Sequence, residues 1–236
     1  MQRRDLQRSM YDLRDSSVAQ RVLLAGIGAL CVAVAWWLLF AGGLHTTAGW
    51  LGRGWNPGDP NRRALLVAAL SIYYIRILFT EFVFLKRGVG WNEVFTIAPW
   101  LLCIYVLLAI SGGINPRPVG LAAIIGIVPF VIGSWMNSYA EYARHKWKLR
   151  PENRDLLYTQ GLFRYSRHPN YLGDLISFSG ICLISGAWMT VIIPVFMLAG
   201  FVFVNIPVLD FHLHDHYGAA FDEYAAHTRK LIPFLY

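Results

Sequence analysis

The chain is predicted to be an all-α, polytopic membrane helical bundle of about six transmembrane helices followed by a cytoplasmic C-terminal amphipathic helix. Three observations predict it. Of 236 residues, 56% are apolar and only 15% charged, a balance typical of membrane proteins. The apolar residues fall in blocks close to the roughly 20 residues that a hydrocarbon core requires. Basic, Gly- and Pro-containing segments separate those blocks.

The expected spans are about 21–43, 64–85, 94–111, 119–139, 171–188 and 190–209. The last two are divided only by Gly186-Ala187, which predicts a tight helical hairpin, since one uninterrupted helix would outrun any membrane. Residues 1–20 form an Arg-rich leader that contains Asp5, Asp12 and Asp15 and lacks a small-residue cleavage signature. It is read as a cytoplasmic basic leader to a retained first helix rather than as a signal peptide. A surface helix is expected at about 212–226. With no repeat, low-complexity tract or long linker, 21–236 reads as one membrane domain.

Lys and Arg set the orientation. Segment 144–167 carries Arg144, Lys146, Lys148, Arg150, Arg154, Arg164 and Arg167 against Glu152 and Asp155, so it is expected to be cytoplasmic together with both termini. Arg53, Arg62 and Arg63 in the first loop run against that bias. The net charge of +7 fits topology and anionic lipid headgroups, or a phosphate-bearing ligand. Membrane lipid and a lipid-like small molecule are the expected partners, and nucleic acid is not; oligomeric state leaves no trace in the sequence. Cys31, Cys103 and Cys182 all lie in apolar spans without CxxC spacing, so neither a disulfide nor a metal site is expected.

Four polar groups interrupt this pattern. Asn137, Glu141, Arg144, His145 and Lys148 follow at three- and four-residue steps and share a helix face. Such a face can grip a polar ligand, or it can be a solvated extension with Glu141 paired to Arg144 or His145. The run 164–174, Arg-Tyr-Ser-Arg-His-Pro-Asn-Tyr-Leu-Gly-Asp, opens the fifth span. Pro169 suits a first helical turn. Asp174 lies within the apolar segment, where a carboxylate needs a named partner; Arg164, Arg167 or a ligand hydroxyl are the candidates. In the tail, Asp210, His212, His214, Asp215, His216 and Tyr217 cluster. His212 and His216 have i,i+4 spacing but no HExxH or nearby Cys, which favours hydrogen bonding over metal binding. In the second span stand Tyr73, Tyr74 and Arg76, with Glu81 one and a half turns further. Arg76 and Glu81 could neutralise one another, and Tyr73 could serve as a proton donor.

Segment 161–174, the hairpin after it, the Tyr217-Gly218 helix and the final Ile232-Pro233-Phe234-Leu235-Tyr236 resemble a membrane superfamily. It comprises the steroid 5α-reductases, the sterol C14 and C7 reductases, and the isoprenylcysteine carboxyl and phospholipid methyltransferases. The resemblance covers 137–236 well and the second span more loosely. Arg167-His168-Pro169 is shared by both chemistries, whereas Asp174 and the Asn137/Glu141 pair are similar to the reductase branch. The resemblance implies an NADPH-dependent reductase of a conjugated C=C bond in a lipid-like enone, with 137–236 as the cofactor-binding half. Asn137, Glu141, Arg144, Lys148, Tyr165, Arg167, His168, Asn170, Asp174, His212 and Tyr217 would then contact NADPH. Tyr73-Tyr74-Ile75-Arg76 resembles the family's Tyr-x-x-Arg segment, so Tyr73, with Arg76 and Glu81, would be catalytic.

Two features depart from the family. The tail offers Asp210 in place of paired glutamates, and residues 21–63 contain no glutamate to assist Tyr73. Either Glu81 or Glu93 substitutes, or the chemistry differs. The alternatives are an S-adenosylmethionine-dependent lipid or prenylcysteine methyltransferase and a non-catalytic membrane lipid-binding protein. Family likeness further implies a bacterial inner membrane.

Overall fold

The computed structural model describes residues 17–236, so most of the predicted basic leader lies outside the described residues. Among these residues the chain is helical, with one isolated bridge between Ser166 and Arg229. Helix α1 spans Val18–Phe40 and a short α2 spans Gly43–Trp50. Helix α3 spans Pro60–Phe79 and runs into a π-helical turn, Thr80–Phe84. Helix α4 covers Trp91–Gly113, α5 Leu121–Lys148 and α6 Pro169–Ser185. After a 3₁₀ turn at Trp188–Val191 come α7 at Ile192–Gly200, a second π turn at Phe201–Asn205, α8 at Ile206–Tyr217 and α9 at Ala219–His227.

Local chemistry sets the boundaries. Asp59 accepts a hydrogen bond from the Arg62 amide at 2.8 Å and Pro60 occupies the first turn, which starts α3. Pro169 opens α6, and Gly186, at φ 64°, closes it in the left-handed conformation that a residue with a Cβ resists.

Among the described residues five helices are long and apolar enough to cross a membrane: α1, α3 with its π turn, α4, α5 and the continuous run Trp188–Tyr217. The expected fifth span is the shorter α6, whose 17 residues extend only about 25 Å. The sixth is longer than expected, 30 residues, because the helix does not stop at 209. The predicted surface helix at 212–226 is accordingly two helices, broken at Gly218, whose φ is 53°.

Glycine brings α5 and α6 together as antiparallel neighbours. Gly126 and Gly133 on α5 face Gly180 and Gly173 on α6. A Cβ on Gly126 would stand 2.7 Å from the Gly180 carbonyl oxygen, and one on Gly173 would stand 2.7 Å from the Asn137 amide nitrogen. Small residues seven apart on both helices therefore allow backbone contact, which fixes their depth and rotation. The core beside this seam holds Tyr105, Phe178, Leu66, Leu70, Leu108 and Ile181, all essentially inaccessible. Large apolar residues such as Val22, Ile75, Val128 and Phe203 are exposed around the bundle, where lipid would cover them.

Two first-loop arginines prove to be packing elements. Arg62, buried, donates from Nη1 to the Ile184 carbonyl at 2.5 Å and from Nη2 to those of Pro118 and Arg117 at 3.1 and 3.3 Å. Arg63 donates to the Leu39 carbonyl at 2.6 Å and lies over the Phe40 ring. Their departure from the charge bias thus has a structural use: they hold helix ends and loops together.

Candidate functional site

The polar residues collect at the end of α6 that begins with Pro169. Because Gly133 meets Gly173, Asn137 arrives opposite Asn170 one turn further on. The buried Asn137 amide donates from Nδ2 to the Asn170 carbonyl at 3.0 Å, and Asn170 Nδ2 donates to Glu141 Oε1 at 3.0 Å. The other oxygen of Glu141 receives Arg144 at 2.5 Å. Of the two partners expected for Glu141, Arg144 rather than His145 is therefore the one found. The three- and four-residue stripe forms a connected network with the start of α6.

Asp174, one turn further into the bundle, takes a partner that the sequence reading did not list. Its Oδ1 receives Arg76 Nη2 at 2.6 Å, across from α3; Arg164 and Arg167 are not involved. Arg76 also lies 4.7 Å from the Tyr73 ring centroid, and Tyr73 sets its edge on Phe178 at 4.7 Å. Arg76 is only 8% exposed, and its Nε and Nη1 lack acceptors among the described residues. The expected Arg76–Glu81 neutralisation does not occur, since Asp174 takes that place. Glu81 sits in the π turn, where its backbone carbonyl accepts from Arg21 and its Oε2 is buried without a hydrogen-bond partner. Glu93, the other candidate substitute, is engaged by Arg87 through two hydrogen bonds of 2.7 Å.

The Arg-His-Pro loop is held from the tail. Asp210 on α8 receives Arg167 Nη2 at 3.1 Å and His168 Nε2 at 2.9 Å. The amides of Arg167 and His168 donate to the carbonyls of Arg229 and Lys230 at 2.8 and 3.1 Å. The His168 ring stacks on Tyr171, and Tyr171 stacks on Phe201 in the second π turn. Burial lowers the His168 pKa from its ordinary value near 6.5, more than Asp210 can offset, so the ring is neutral and Nε2 is the proton-bearing nitrogen that donates to Asp210. Burial also raises the Tyr224 phenol, which donates to the Phe163 carbonyl at 2.6 Å.

Lys148 donates at 3.0 Å to both the Arg154 carbonyl and the Tyr217 hydroxyl, and to the Leu156 carbonyl at 2.5 Å. It therefore ties α5, the following loop and α8 together. Tyr165 is 54% exposed, and His212 stacks on His216 along α8. The structure thus brings Tyr73, Arg76 and Asp174 into one unit, Asn137, Glu141, Arg144 and Asn170 into a second, and Arg167 with His168 into a third.

Asp210 is the main addition to the expected residues. Its signal was legible, since it is the only carboxylate in the apolar run 188–210, and a carboxylate there calls for a partner. The seven-residue glycine spacing was also readable, but its meaning depended on both helices.

The DUF1295 family model, described as a protein of unknown function, matches residues 83–228. A 3-oxo-5-alpha-steroid 4-dehydrogenase 2 from Rattus norvegicus is 25% identical over 223 residues, covering 90% of this chain and 84% of the relative. Its Homo sapiens counterpart is 27% identical over 112 residues, 48% of this chain and 42% of that protein. A probable protein-S-isoprenylcysteine O-methyltransferase from Oryza sativa subsp. indica is 27% identical over 116 residues, 47% of this chain and 61% of the relative. Both chemistries of the superfamily are thus represented among the relatives, and the model match spans most of the chain. The protein belongs to the DUF1295 family, within the membrane superfamily of steroid 5α-reductases and isoprenylcysteine methyltransferases.

Proposed function

We propose that this membrane protein is an NADPH-dependent reductase of a conjugated C=C bond in a lipid-like substrate, a steroid, prenyl or fatty enone. The observation that carries the proposal is the Tyr73–Arg76–Asp174 unit beside the Asn137–Asn170–Glu141 network. A half-buried phenol resting on an arginine with unpaired N–H groups suits an oxygen that gains negative charge.

The residues present fit the cofactor. Asn137, Glu141 and Asn170 offer the amide and carboxylate chemistry that recognises a carboxamide, and the partly exposed Arg144 suits a phosphate. Arg167, His168, Lys148 and Tyr217 act in this reading chiefly by holding loop and tail in place. Held there, NADPH would supply the hydride, and with it the two electrons, that the β-carbon takes up. Tyr73 donates its phenolic proton to the carbonyl oxygen as the enolate develops, Arg76 favours that charge from beneath the ring, and Asp174 fixes Arg76. The resulting enol returns to the ketone by losing the O–H proton as the α-carbon gains one, and Tyr73 regains its phenolic proton, with one proton taken up from water in each turnover. Substrate enters between helices from the bilayer and cofactor from the cytoplasm, with both termini on that side of a bacterial inner membrane.

The methyltransferase relatives favour the second reading, S-adenosylmethionine as cofactor with a lipid or prenylcysteine substrate. Calorimetric titration of purified protein in detergent with each cofactor separates them. Binding of NADPH without S-adenosylmethionine is expected; the reverse would overturn the proposal. Intact NADPH binding with no oxidation across sterols, quinones and polyprenyl enones would instead indicate a lipid-binding protein without turnover. Substrate-dependent oxidation that Tyr73→Phe abolishes would exclude that.

A further inference from the structure

A groove of about 430 Å³ lies between the last long helix and the C-terminal segment. Val195, Leu198, Ala199 and Phe203 line one side, and Ile232 and Tyr236 the other. The first wall belongs to the run Trp188–Tyr217, one of the helices able to cross a membrane, so hydrocarbon surrounds it. The second wall is a hook: the amides of Leu231 and Ile232 both donate to the Tyr236 carbonyl, at 2.7 and 2.9 Å. Phe234, in the hook, has φ 67°, a left-handed conformation that a bulky residue keeps only where its surroundings hold it there. It and Leu235 are 83% and 78% exposed, as suits residues sunk into an interface. At the rim stands a cation, Lys230, whose ammonium is 5.2 Å from the centroid of the Tyr236 ring, with Arg229 beside it in sequence.

We propose that this groove binds an anionic phospholipid, with one acyl chain between α7 and the hook and the phosphate at Lys230. An apolar slot of ligand size ending at a lysine complements that molecule and no soluble one. The site also bears on the Arg-His-Pro loop, because the carbonyls of Arg229 and Lys230 hold the amides of Arg167 and His168. A lipid wedged against Ile232 and Tyr236 steadies the strap on which that loop hangs.

Native mass spectrometry of the full chain, reconstituted in nanodiscs containing equal phosphatidylglycerol and phosphatidylcholine of matched acyl chains, tests this. The wild type is expected to retain phosphatidylglycerol about five-fold over phosphatidylcholine, the ratio one lysine near an anionic headgroup supplies. Ala199→Trp fills the slot and is expected to lose both lipids. Lys230→Glu, on an exposed side chain that leaves packing intact, is expected to bring the ratio to about one. Equal retention of the two lipids by the wild type, a ratio unmoved in Lys230→Glu, or undiminished phosphatidylglycerol on folded Ala199→Trp would each overturn the proposal. Should Ala199→Trp fail to fold, the Lys230→Glu ratio alone decides.

Discussion

Helix α3 carries two buried arginines, Arg62 and Arg76, about 21 Å apart along its axis, and both reach α6. Arg62 spends two of its nitrogens on three backbone carbonyls, which need donors once a helix ends inside the protein. Both leave Nε without an acceptor among the described residues, but Arg76 meets a carboxylate and leaves Nη1 unpaired as well, beneath Tyr73. Equal burial therefore accompanies unequal roles: one arginine closes a structural joint, and the other holds donor capacity in reserve at the place where the phenol sits.

The contrast breaks most visibly at Asp174. Asp174→Ala leaves Arg76 buried without its counter-charge and should cost about 3–5 kcal/mol of stability, read from thermal or denaturant unfolding in detergent. Adding Arg76→Met should recover most of that loss while substrate-dependent NADPH oxidation stays low; recovery of oxidation with stability would show that the pair is only a joint, like Arg62. Next in size, Tyr73→Phe should lower substrate-dependent NADPH oxidation by roughly 100-fold or more, with cofactor affinity and the unfolding midpoint nearly unchanged. Arg62→Met should cost about 1–3 kcal/mol by stranding carbonyls, with no effect on affinity beyond that of stability. A specific loss of NADPH binding in this variant would remove the distinction between the two arginines.

The smallest effect should come from pH. His168 has a lowered pKa in the folded protein, where Asp210, Arg167 and Arg144 are the charges that act on it. The unfolded chain takes up that proton more readily, so stability is full above about pH 6.5 and falls as pH drops toward the folded value. Melting temperatures recorded downward from pH 7.5 should decline, and His168→Gln should reduce that slope.

The helical class, the apolar blocks and the boundaries at Pro169 and Gly186 were legible because they rest on local chemistry and on span length. So was the shared face of Asn137, Glu141 and Arg144, since three- and four-residue spacing decides it; that Asn170 meets this face was not. The joint at the end of α6 was not legible, because hydropathy does not reveal that the Ile184 and Ser185 carbonyls meet Arg62 and Asn115. Nor was the continuation of the last helix to Tyr217, where apolar and polar residues share one uninterrupted backbone and only Gly218 ends it.

By itself the sequence determined an all-helical membrane protein with polar stripes on some of its helices, since composition and short-range spacing decide both. Only the tertiary structure decided that Asp174 pairs with Arg76, that Glu81 Oε2 is buried without a hydrogen-bond partner, and that Asp210 holds Arg167 and His168. Those choices depend on the depth and rotation of one helix against another. The backbone contact of Gly126 and Gly133 with Gly180 and Gly173 sets that register, and no single helix contains it.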